Sequence, residues 1–101
     1  MIIYNVTTKV HATIDTAWIQ WMREEYIPET MATGLLTSYK LLHLLEHDDT
    51  EGKTYAVQYT VDSAALYEQY INNHATSLRK KAVEKWGAAI ISFHSALEVI
   101  Q

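Results

Sequence analysis

The order in which strand-like and helix-like periodicities follow one another restricts this chain more than any other feature. Residues 2–11 are rich in β-branched side chains (Ile2, Ile3, Val6, Thr7, Thr8, Val10), the composition of a strand. Tyr4, Val6, Thr8 and Val10 share one of its faces, and Ile3, Asn5, Thr7, Lys9 and His11 the other. A helical pattern follows, with Thr13 or Asp15 placed to cap it. That helix is expected to run to about Glu25, and Pro28 ends it or opens a new turn. Gly34 suits the position after the last turn. Leu35 to His47 reads as a long strand and Lys53 to Val61 as another, joined by the polar turn from Asp48 to Gly52. Asp62 or Ser63 caps a second helix. Its apolar positions are Leu66, Tyr67, Tyr70 and Ile71, then Leu78, Ala82, Val83 and Trp86, with a bend near Ala75-Thr76-Ser77 and a stop at Gly87. Ala89 to Ile100 is the last strand.

The order β-α-β-β-α-β predicts an α+β, ferredoxin-like domain over residues 1–101. It is a four-stranded antiparallel sheet with two helices on one face, where right-handed crossovers put them. The second strand carries leucine in both phases, with Leu42 and Leu44 on one side and Leu41 and Leu45 on the other. A strand with one wet face alternates, so both faces are expected to be covered. The helices cover only one. A second copy related by a two-fold axis is the simplest cover for the other, which predicts a homodimer through the sheet face.

Composition narrows the function classes. A chain of 101 residues buries roughly two thirds of the surface it exposes unfolded, enough for one modest core. The net charge of −4 comes with no lysine-arginine stripe, which argues against nucleic acid. Cysteine is absent, so disulfides and thiol chemistry are excluded. No apolar run approaches the roughly 20 residues of a membrane span, and Met1 to Asn5 does not read as a signal peptide; a cytoplasmic location is expected. No glycine-rich phosphate loop, catalytic triad signature or zinc spacing is present, so no metal is expected.

Several stretches carry a resemblance: Ile2-Ile3-Tyr4-Asn5-Val6-Thr7, Trp18-Ile19-Gln20-Trp21-Met22, Ile27-Pro28-Glu29 with Ala32-Thr33-Gly34, Thr54-Tyr55 with Gln58-Tyr59, Tyr70 with His74, Leu78 and Arg79, and Phe93 with Leu97-Glu98-Val99. On these residues the chain resembles the dimeric α/β-barrel superfamily, and more narrowly an uncharacterised bacterial single-domain family of unknown function. The narrower resemblance implies a His just before Ile-Pro-Glu, where this chain has Tyr26. The wider one implies dimers with a cavity between sheet and helices. Its members include cofactor-independent monooxygenases, haem-degrading enzymes, isomerases and ligand-sensing domains, and a shared fold does not choose among them.

Three residues are candidates for catalysis. At about 100° per residue, Ile14, Trp18, Trp21 and Met22 share a helix face, and Glu25 projects into it. Desolvated among indoles, Glu25 would be a general acid or base near neutral pH; turned to water, it is a surface carboxylate, the more ordinary arrangement. Asn5 on the first strand, facing His74 on the second helix, is similar to the arrangement in haem-degrading members, with Tyr67 and Tyr70 where those have Trp. His74 is thus a candidate haem ligand or base, against the plainer reading of a helix-end His bonded to a carbonyl. Gln58, Tyr39 with His43, and His94 beside Ser92 either line a pocket or pair across strands. The Arg79-Lys80-Lys81 run with Lys85 reads as a solvated helix face.

The expectation is a small-molecule-binding protein whose cavity is lined by Trp18, Met22, Tyr55, Tyr59, Tyr67 and His74, with no cofactor. The alternative is a monooxygenase, cofactor-independent or haem-linked.

Overall fold

The computed structural model describes residues 1–101. Four strands, β1 (Ile2–His11), β2 (Ser38–His43), β3 (Gly52–Val61) and β4 (Ile90–Glu98), form one antiparallel sheet in the order β2-β3-β1-β4. A first helix occupies residues 15–31 and a second residues 64–86, both packed on one sheet face. This is the ferredoxin-like α+β arrangement. Opposite Tyr4 stand Tyr59 on β3 and Ala96 on β4; opposite Val6 stand Val57 and His94; opposite Thr8 stand Tyr55 and Ser92. These rows face the helices; Tyr4, Tyr55, Val57 and Tyr59 from them, with Trp18, Trp21, Ile27, Tyr70 and Leu78, make the core, while Ser92, His94 and Ala96 of β4 are exposed.

Each long helix is interrupted by a π turn. In the first, α-helical Asp15–Trp21 gives way to a wide turn over Met22–Tyr26 and resumes at Ile27–Met31. The Ile27 N–H donates to the Met22 carbonyl, five residues back. Pro28 has no N–H with which to continue the tighter α pattern at the next position. The helix therefore continues past Glu25 rather than ending there. Gly34, at φ +76°, turns the chain out of it. In the second helix the turn over Ile71–Ala75 replaces the expected bend at Ala75-Thr76-Ser77. Ser63 caps that helix, its Oγ accepting from the Leu66 N–H at 3.2 Å. The first has no side-chain cap: Asp15 is its first residue, and its carboxylate accepts from the Tyr55 hydroxyl at 2.6 Å instead.

The second strand is shorter than Leu35 to His47. Leu35 and Leu36 are buried, but in the connection before β2. Leu44 and Leu45 lie beyond it and are exposed, as is Leu42. Within one subunit, then, β2 is not covered on both faces: it is the edge strand, and only Leu41 is half-buried beside the core. The sheet face away from the helices is open, with Ile91, Phe93, Leu97 and Leu42 exposed along it. Gly52 is required where β3 begins, since a Cβ there would lie 1.9 Å from the Val10 carbonyl oxygen.

Candidate functional site

Between the helices and the β1–β4 side of the sheet is a pocket of about 310 Å³. The first helix supplies Trp18, Trp21, Met22 and Tyr26 as one wall. Val6 and Thr8 of β1 and Ile90, Ser92 and His94 of β4 form the facing wall. The second helix closes the remaining side with Arg79, Ala82 and Val83.

The π turn decides which side chain of the first helix enters. Strict α spacing from Trp18, Trp21 and Met22 leads to Glu25. The wide turn adds a residue, and the face passes to Tyr26. Glu25 is exposed. The Tyr26 ring packs tilted against Trp21, at 4.8 Å and 34°, and burial raises its hydroxyl pKa well above the ordinary tyrosine value.

The polar groups of the pocket come from the sheet and the second helix. Arg79 Nη2 donates to the Tyr4 hydroxyl at 3.0 Å, and that hydroxyl lies 2.8 Å from His94 Nδ1. A guanidinium only donates, so the Tyr4 oxygen accepts and its own hydrogen is free for Nδ1. In the tautomer with the imidazole proton on Nε2, Nδ1 accepts that hydrogen. Burial, followed by the Arg79 charge, pushes the His94 pKa down to about 4, so this side chain is neutral at neutral pH. Burial likewise raises the Tyr4 hydroxyl pKa, against the opposing pull of Arg79. Thr8 and Ser92 hydroxyls bond to each other at 2.8 Å. No acidic side chain lines the pocket.

Trp18 and Met22, two of the six residues expected at the cavity, line it. The other four lie elsewhere. Tyr55 is buried behind Trp18, rings 5.2 Å apart, with its hydroxyl on Asp15. Tyr59 and Tyr67 each pack against Tyr4 at 5.9 Å. His74 stacks on Tyr70 at 6.3 Å, outside the pocket. Asn5 is on the opposite sheet face, its Nδ2 donating to Thr7 Oγ1 at 3.0 Å, so the sheet separates it from His74. Gln58, paired with Asn5, shares that outer face. Tyr39 and His43 take the helix-side phase at the far edge, where His43 packs on Tyr55 at 5.4 Å.

Arg79 and Tyr26 were not among the residues expected at the site. Both had a signal. Arg79 falls four residues after Ala75 and three before Ala82, on the inward stripe of its helix, while its lysine neighbours point outward. Pro28, two residues after Tyr26, marks where α-helical bonding is interrupted. Val83, expected on the buried side, is 62% exposed and only edges the pocket.

The model of a family described as a domain of unknown function (DUF4286) matches residues 1–100. The chain belongs to this family. No protein among the curated ones matches it. Among solved structures, a dimeric ferredoxin-like protein from an uncultured marine organism is similar at a TM-score of 0.74 and 12% identity, covering 99% of this chain and 95% of that one. A dimeric ferredoxin-like protein of unknown function from Thermobifida fusca is similar at 0.55 and 16% identity, covering 96% and 92%. A cofactor-independent oxygenase from Streptomyces nogalater is similar at 0.60 and 10% identity, covering 99% and 94%. At these identities the likeness is one of fold. No helix is long and apolar enough to cross a membrane.

Proposed function

We propose that this member of the family is a cytoplasmic small-molecule-binding protein that works as a homodimer, each subunit using the pocket between its helices and sheet. The observation that carries the binding role is the composition of the pocket: an apolar, aromatic body formed by Trp18, Trp21, Met22 and Tyr26, with a few polar groups converging at Arg79 and His94. Ligand sites are built in this way, and 310 Å³ lies at the small end of their usual range. Dimerisation is supported by the exposed apolar row of Ile91, Phe93 and Leu97 on the open sheet face, and by the dimers named among similar structures. Two of the tryptophans line the pocket, so their emission reports on it. Titration with a metabolite panel is expected to give a saturable change for at least one apolar compound. No response from any compound counts against the role.

An oxygenase that needs no cofactor is the second reading. It is favoured by the similar Streptomyces enzyme and by a histidine hydrogen-bonded at the pocket. A base with its pKa pushed down to about 4 takes up protons poorly, which weighs against this reading. Oxygen uptake with an enolisable aromatic ketone tests the oxygenase, and no uptake above the protein-free rate removes it. The placement of His74 against Tyr70, outside the pocket, weighs against the haem-linked version that named it as the ligand.

A further inference from the structure

The pocket holds one positive side chain and no negative one, and Arg79 has no ion-pair partner anywhere in the subunit. Its Nε is buried without a hydrogen-bond partner in the protein, and Nη2 donates only to a neutral phenol. The nearby lysines are engaged elsewhere: Lys81 pairs with Glu29 and Lys80 with Glu84, both on the outer surface. The guanidinium is half-buried, lies 5.9 Å from the Tyr4 ring centroid and keeps donors that the protein does not use, which suit a carboxylate. We infer that the pocket binds a small, planar, apolar monocarboxylate, with its carboxylate on the Arg79 guanidinium and its hydrocarbon body against Trp21 and Tyr26.

This rests on the pocket being a ligand site and deepens that reading by naming the ligand's chemistry. A single guanidinium balances a single charge, and its planar fork matches the two oxygens of a carboxylate. His94 adds a second polar side chain beside Arg79, bonded to the same Tyr4 hydroxyl. The aromatic walls favour a flat body over a bulky one.

The test pairs each acid with its uncharged isostere. Benzoate, indole-3-acetate and 2-naphthoate are titrated against the wild-type protein by ligand-observed NMR, each beside its primary amide. At least one carboxylate is expected to bind about tenfold or more tighter than its amide, the scale of a charge-assisted hydrogen bond. In Arg79→Gln that preference is lost; Arg79→Lys retains part of it. Equal binding of acid and amide by the wild type overturns the carboxylate inference and leaves the pocket as a site for neutral ligands. An unchanged preference in a folded Arg79→Gln overturns the assignment to Arg79. Binding of no acid and no amide overturns this inference, while the binding role itself is judged by the wider metabolite panel. The wild-type comparison needs no variant, so a variant that fails to fold does not stop the test.

Discussion

The rings of Trp21 and Tyr26 lie 4.8 Å apart although they are five positions apart along one helix. An α-helix would place them well apart around its axis. The bond from the Ile27 N–H to the Met22 carbonyl brings them together. Glu25, which α spacing turns inward, points to solvent. Tyr26→Ala is therefore expected to destabilise the protein by about 2 kcal/mol, the loss of a half-buried aromatic. Glu25→Ala is expected to stay within about 0.5 kcal/mol, as for a surface residue. Urea unfolding of the two variants checks the phase; the reverse ranking would mean that the helix is regular there.

The bond from the Tyr55 hydroxyl to Asp15, at 2.6 Å, ties the central strand to the start of the first helix, which has no side-chain cap of its own. Tyr55→Phe keeps the stacking on Trp18 and removes this bond alone. A loss of about 1 kcal/mol is expected in thermal or denaturant unfolding. Phe restored to full stability would show that the bond contributes nothing.

His94 sets a pH dependence. Its native pKa is about 4 against an ordinary 6.5, so between these values the unfolded chain binds the extra proton. Stability from this group is therefore fully present above about pH 6.5, declines as the pH falls towards about 4, and is level below that. Protonation would also remove the acceptor for the Tyr4 hydroxyl. His94→Gln should flatten this part of the stability profile relative to wild type, measured as urea midpoints across the range. A profile as steep as wild type in the variant would assign the slope to other groups.

The open sheet face predicts association. Phe93 is 67% exposed in the subunit, beside Ile91 and Leu97 in the same phase of β4. Light scattering at micromolar concentration should give twice the 11.6 kDa chain mass, and Phe93→Glu should shift it towards one chain. A wild-type mass near that of one chain would sink the dimer.

The strands and their order were legible in the sequence because β-branched alternation at Ile2–Val10 and Tyr55–Val61 is local information. The site was less so. Periodicity assumes a constant turn, and both helices change theirs at a π segment, which moved the inward position from Glu25 to Tyr26. Arg79 looked like one of four surface cations because charge alone does not say which of them faces a pocket. Leucines at 35, 36, 44 and 45 lengthened the second strand on paper; two are buried in a connection and two are exposed beyond the strand. Asn5 and His74 could be brought together only by ignoring the strand parity that places Asn5 with Thr7 on the far face.

The central claim is that a ligand enters between the first helix and the β1–β4 side of the sheet. The indole N–H resonances of Trp18 and Trp21 test it most directly, since both rings line that space. On titration with an apolar carboxylate that binds, these two signals should move in step with saturation, and Ala82→Phe, which fills the pocket, should abolish the movement while the protein stays folded. Binding that leaves both indole signals still, or that persists unchanged in Ala82→Phe, would contradict the account.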